Sequence, residues 1–192
     1  IISEEMGDIA GERTWFIDPI DGTKGFITHS DQFAIHIGLA EEGKPVFGMV
    51  YKPLTQEAYV SRPDGAWRYH ERAGIDWATK LLQKKKSDNL TIISNTKLTR
   101  SKVGIEIFCQ LSKDYKEPCQ VFTSGSQGLR MMKVAEGIAD ASLINVPTLC
   151  SSWDVCAPQA IVEAAGGYVA YLDGSPITYT KRDLDGDFVV AR

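Results

Sequence analysis

Two aspartates three residues apart, Asp18 and Asp21, follow the apolar run Trp15-Phe16-Ile17, and Gly22, Thr23 and Lys24 come directly behind them. Carboxylates this close repel one another unless a cation neutralises them. A glycine and a hydroxyl at the start of the next element suit a phosphate group. The string therefore predicts a divalent-cation site beside a phosphate-binding turn. Read alone, Asp-Pro and Asp-Gly are also ordinary turn dipeptides at a strand end. Three further segments favour chemistry. The chain opens with an apolar pair leading into Glu4 and Glu5. Ser152-Trp153-Asp154 starts an apolar helical stretch that closes on Gly166-Gly167, placing an acid in a first helical turn, where it can cap backbone N–H groups or ligate a metal. Ser124-Gly125-Ser126-Gln127-Gly128 forms a small-residue turn between an apparent strand and a helix, which suits an anion.

The elements that must position these residues follow from pattern. Alternation over 33–39 predicts a strand, 41–44 a hairpin turn, and 45–51, 57–61 and 66–69 the remaining strands of an antiparallel meander. Residues 76–88, ending in Lys84, Lys85 and Lys86, read as a solvated loop. Beyond them strand and helix alternate: strands at 90–94, 120–123, 141–145, 168–172 and 188–191, helices over 101–111, from 129 and from 154. This pattern predicts a layered α/β sandwich with two lobes, 1–88 and 89–192.

Composition limits the function classes. The 192 residues are 43% hydrophobic and 24% charged with a net charge of −4, an ordinary globular balance that favours neither nucleic acid nor an anionic membrane. No run of apolar residues is long enough to span a bilayer, and no basic-then-apolar leader is present. The four cysteines show no metal-site spacing and no disulfide framework, which points to a reducing cytoplasm. Cys109 and Cys156 are expected to be buried thiols on apolar helical faces. Trp15, Trp153 and His36 read as core residues, and His29 as a residue outside the cleft.

Together these residues resemble the magnesium-dependent, lithium-sensitive phosphatase superfamily that includes inositol monophosphatase. The apolar strand with Asp-Pro-Ile-Asp-Gly-Thr (18–23) matches its first signature, and Trp153-Asp154 before a helix and a Gly-Gly turn matches its second. Within it, Asp21-Gly-Thr-Lys24, Trp153-Asp-Val-Cys-Ala-Pro158 and Gly125-Ser-Gln-Gly-Leu-Arg130 look most like the bisphosphate nucleotidase branch, which removes the 3′-phosphate of 3′-phosphoadenosine 5′-phosphate. That branch usually carries lysine where Arg130 stands.

The resemblance implies an α-β-α-β-α sandwich and a phosphoric monoester hydrolase using two or three magnesium ions. Glu4, Asp18, the carbonyl of Ile20, Asp21 and Asp154 would be the metal ligands. Glu4 and Thr23 would orient and deprotonate the attacking water. Gly22, Thr23, Lys24, Ser124, Gly125, Ser126 and Arg130 would contact a small phosphorylated substrate. Members are often dimeric. The family carries a pair of helices before the point where Ile1 stands, including an aspartate that supports the threonine. A chain beginning at Ile1 is therefore expected to lack that layer, to bind metal and phosphate, and to turn over slowly.

Rival readings are an inositol monophosphatase, a histidinol phosphatase and a non-catalytic metal- or nucleotide-binding module. Pro147 stands where the inositol enzymes place a ring-holding glutamate, and Trp153 is a residue the histidinol phosphatases commonly lose.

Overall fold

Seven strands follow one another across a single sheet in chain order: β1 (Ile2–Ser3), β2 (Arg13–Asp21), β3 (Ala34–Glu41), β4 (Lys44–Lys52), β5 (Glu57–Arg62), β6 (Gly65–Arg72) and β7 (Ile75–Leu81). The computed structural model describes residues 1–5, 11–72, 75–82, 90–114, 119–146 and 150–192. β1 runs parallel to β2, and every later pair is antiparallel. The β3–β4 turn is Glu42-Gly43, both with positive φ (49° and 75°), the left-handed pair that matches the twist of two flanking strands. The predicted meander is present and gains β7, where a loop was expected. The only large apolar residues near its start, Ile75 and Trp77, make a short signal in the sequence, and Lys84, Lys85 and Lys86 lie outside the described residues.

The second sheet has the order β11 (Val169–Tyr171), β12 (Phe188–Ala191), β10 (Ala141–Asn145), β8 (Thr91–Ser94), β9 (Gln120–Thr123). β8, β9 and β10 are parallel, while β12 is antiparallel to both its neighbours. Helices α2 (Thr96–Thr99) and α3 (Lys102–Leu111) follow β8. Phe108 of α3 packs with Ile92 and Leu143 on this sheet. Helices α4 (Gln127–Ala135) and α5 (Ser152–Ala164) lie between the sheets. The layers run sheet, helices, sheet, helices, and the predicted α/β layering is what the structure shows.

One core joins the layers: Phe16 and Val50 from the first sheet, Met131, Val155 and Ile161 from the helices, and Ile144 and Val189 from the second sheet. α5 is apolar around its circumference, as a central helix must be. It lies directly on the first sheet because Gly38 and Gly48 are paired across β3 and β4 beneath it. A Cβ on Gly48 would stand 2.1 Å from the Ala157 carbonyl oxygen, and one on Gly38 2.8 Å from the Ala157 nitrogen. Each of Val155, Ile161 and Val162 contributes roughly 1.5–3 kcal/mol by burial there.

All four cysteines are free thiols. Cys156 is buried as expected. Cys109 is exposed, because it follows Phe108 on α3 and so faces away when Phe108 faces the sheet. Trp15 is also corrected: it is 40% exposed on the sheet face opposite α5, with its ring edge against Phe47.

Candidate active site

A β-bulge brings Asp18 and Asp21 to one place. Asp18 pairs with His36 and Asp21 with Ala34, so β2 spends one more residue than β3 across this interval, at Pro19-Ile20. In a regular strand residues three apart face opposite sides; the extra residue turns both carboxylates the same way. Asp18 is 2% exposed and Asp21 6%. Asp18 Oδ1 accepts the Ile20 N–H at 2.9 Å, which fixes the bulge. The first turn of α5 delivers Asp154, whose Oδ2 accepts the Ser151 N–H at 2.6 Å. Carboxylate oxygens of Asp18, Asp21 and Asp154 all lie within 4.8 Å of one another.

Their electrostatics separate them. Burial, opposed by His36 and reinforced by Asp21, pushes Asp18 up to about 6. Burial and the charge of Asp21 push Asp154 well above the usual carboxylate range. Burial would raise Asp21 too, but His36, Ser126 and the Gly128 N–H outweigh it and hold Asp21 at about 2. Burial would likewise lower His36, and Asp21 outweighs it, lifting the imidazole to about 9. Three crowded oxygen donors, two of them resisting ionisation, form a donor set that fits a hard divalent cation.

These acids line a cavity of about 970 Å³ together with Glu4, Ile20, Gly22, Thr23, Lys24, Gly125 and Arg130. Glu4 is exposed and stands outside the three-carboxylate cluster. Ser3 pairs with Ile17, so Glu4 comes level with Asp18. Gly22 caps the short helix α1 (Thr23–Ile27) with φ 89°, and a Cβ there would lie 2.4 Å from the Gln32 carbonyl.

The small-residue turn 124–128 does bind an anion, and the anion is Asp21. Its carboxylate accepts the Ser126 hydroxyl at 2.5 Å and the N–H groups of Gly128 and Gln127 at 2.6 and 3.1 Å. Ser126 is fully buried beneath it. Ser124 donates to Gln32 Oε1 at 2.6 Å. Neither serine lines the cavity, which corrects their expected role as substrate contacts: the helix end they form is already occupied from within the chain. Arg130 reaches the wall but is 3% exposed. Its guanidinium donates to the carbonyls of Ser124 and Gly125 at 2.8 and 2.7 Å and to Gln127 Oε1, so it shapes the turn.

Several wall residues were not foreseen. Asn95, Thr96 and Lys97 follow the carboxyl end of β8, where Asn95 caps α2 by accepting the Leu98 N–H at 2.7 Å. The carboxyl ends of parallel strands are where open α/β sheets place ligands, a rule that would have pointed to them. Gln127 of the small-residue turn lines the cavity too, as do Arg182, Asp183, Leu184 and Cys150, which no sequence pattern announces. Trp153 is buried as expected, and His29 is exposed away from the cavity.

The sequence matches the profile of the Inositol monophosphatase family over residues 1–187. It is 32% identical over 174 residues to the 3′(2′),5′-bisphosphate nucleotidase CysQ of Shigella flexneri, a match covering 90% of this chain and 64% of that protein. It is 30% identical over 194 residues to an inositol-1-monophosphatase of Mesorhizobium japonicum, covering 99% of this chain and 68% of the relative. The crystal structure of CysQ from Bacteroides thetaiotaomicron superposes with a TM-score of 0.82 at 28% identity, over 98% of this chain and 75% of the other. With both signature segments now seen to build one carboxylate-lined cavity, the chain belongs to the inositol monophosphatase family.

Proposed function

We propose that the chain is a magnesium-dependent phosphomonoesterase whose substrate is a nucleoside 3′,5′-bisphosphate, 3′-phosphoadenosine 5′-phosphate, from which it removes the 3′-phosphate. One observation carries this reading. The cavity has an acidic floor, Asp18, Asp21 and Asp154, and carries Lys24, Lys97 and Arg182 on its walls. Among the described residues none of these three cations has a carboxylate partner. A cation-loaded floor suits the phosphoryl group that reacts. The remaining positive charge suits a second phosphate, which inositol monophosphate lacks.

Asp18, Asp21, Asp154, Glu4 and the Ile20 carbonyl would hold the metal. A bound divalent cation supplies Lewis acidity that lowers the pKa of water and offsets phosphoryl charge. Glu4 and Thr23 orient the attacking water and accept its proton. The backbone N–H groups of Gly22 and Thr23 hold phosphate oxygens, and the missing side chain at Gly22 admits the close approach. Residues 1–88 and 89–192 act as two lobes that meet at this cavity. Among the described residues no helix is long and apolar enough to cross a membrane, and four free thiols support a cytoplasmic setting.

A second reading, inositol monophosphatase activity, is favoured by the Mesorhizobium relative. Phosphate release from the nucleoside bisphosphate, inositol monophosphate and histidinol phosphate, with magnesium and then with added lithium, separates the alternatives. Preference for the bisphosphate with loss of activity in lithium is the expected result. Preference for inositol monophosphate would overturn the nucleotide reading, and release from none of them the catalytic one.

A further inference from the structure

Arg182 sits in an exposed segment between Tyr179 and β12, yet it is held on both backbone and side chain. Its carbonyl accepts the Ser152 N–H at 2.9 Å and also the Ser152 hydroxyl, which donates to the Lys181 carbonyl at 2.5 Å. The Arg182 guanidinium carbon stands 4.7 Å from the centre of the Trp153 ring. Ser152 and Trp153 open the helix whose third residue is Asp154. The guanidinium is thus tied to the frame that carries an acid of the cavity floor.

We infer that Arg182, stacked on Trp153, binds the second phosphate of the substrate and sets the preference for a bisphosphate over a monophosphate. This rests on the nucleotide reading above. A guanidinium lying against an aromatic ring keeps its in-plane N–H donors free, and two of them match two oxygens of one phosphate. Its neighbours are held elsewhere: the Lys181 ammonium is committed to Asp185 at 2.5 Å, and both terminal nitrogens of the buried Arg130 guanidinium donate to the 124–127 turn. Lys24 and Lys97 reach the same cavity, but each is a flexible stem on a short helix, and among the described residues neither lies over an aromatic ring. Their charge steers the substrate, and Arg182 fixes its orientation.

The test compares adenosine 3′,5′-bisphosphate with adenosine 3′-monophosphate on the unmodified chain, Arg182→Gln and Arg182→Lys. KM is read where phosphate is released and calorimetric Kd where it is not. The unmodified chain should prefer the bisphosphate. Arg182→Gln should cut that preference about tenfold or more, because the bisphosphate loses far more than the 3′-monophosphate does. Arg182→Lys should fall between, since it keeps charge and loses the planar fork, and its residual preference should shrink with added salt. No preference in the unmodified chain, an unchanged ratio in Arg182→Gln, or equal losses for both ligands would each overturn the inference. If the ratio shifts as expected but no variant releases phosphate, the catalytic reading fails and the binding role of Arg182 stands.

Discussion

His36 Nε2 lies 3.2 Å from Asp21 Oδ2, and neither side chain has meaningful contact with solvent. The first turn of α4 closes on the same carboxylate from the other side, and it can do so only because residue 128 is glycine. A Cβ there would stand 2.1 Å from the imidazole nitrogen. An acid of the proposed metal site is therefore clamped between strand β3 and helix α4 with its charge locally balanced.

This clamp gives the metal-free chain a distinctive pH response. Between 3.8 and about 6 the folded chain keeps a proton on Asp18 that the unfolded chain has released. Between 6.5 and about 9 the same holds for His36. Stability should fall as pH rises through both windows, because the folded state binds more protons in each. Asp21 acts in the opposite sense, its contribution being lost as pH falls from 3.8 toward about 2. A divalent cation relieves the crowding at Asp18, so its stabilising shift in unfolding temperature should be larger at about pH 8 than at about pH 5, where protons compete. Equal shifts at both would contradict the cluster as a cation site.

Asp154 has two separable tasks, and two substitutions distinguish them. Asp154→Asn keeps an oxygen able to accept the Ser151 N–H, whereas Asp154→Ala loses it. Both should abolish magnesium-induced stabilisation and reduce any phosphate release by roughly 100-fold or more. Only the alanine variant should also lose about 0.5–2 kcal/mol of metal-free stability, measured by urea unfolding. Equal stability losses would show that the cap contributes nothing.

Gly48→Ala should be costly although it adds one methyl group. The new Cβ meets backbone oxygen at Ala157, which cannot move unless α5 shifts as a unit. A loss of about 1–3 kcal/mol is expected, accompanied by weaker metal binding because α5 carries Asp154. Calorimetric metal titration of the folded variant checks the coupling, and unchanged affinity would place the damage in the core alone.

Glu136 offers a control remote from the cavity. At the end of α4 it accepts from Tyr59 at 3.1 Å, Arg68 at 2.7 Å and Lys133 at 3.0 Å, joining the first sheet to the helix layer. Glu136→Ala should cost about 1–2 kcal/mol, the half-exposed Arg68 limiting the loss, and leave metal affinity unchanged. A drop in metal affinity would show that α4 transmits strain to Asp21.

Much of this architecture was legible where periodicity is strong. The strands at 141–145 and 188–191 fall where the apolar pattern puts them, and the helix carrying Asp154 was visible from its capping acid and its continuous apolar run. β7 was not legible, because a short edge strand beside a basic run carries little apolar signal. At the site, Asp18, Asp21 and Asp154 stood out because crowded acids need a reason. The turn 124–128 was recognised as an anion site, but its partner was hidden: Asp21 and Gly128 are far apart in sequence, and only the folded chain shows them bonded. Arg182 was invisible for the same reason, since its significance lies in the Trp153 ring beneath it.

The shared use of Asp21 has a mechanical consequence. The carboxylate that faces the cavity also closes the leading end of α4, so any cation binding in the cavity would be thermodynamically coupled to the strength of the seam between the two sheets. A cation bound there would draw electron density from Asp21 and loosen its grip on the Gln127 and Gly128 amides, and whatever pulls α4 away would weaken the site for that cation.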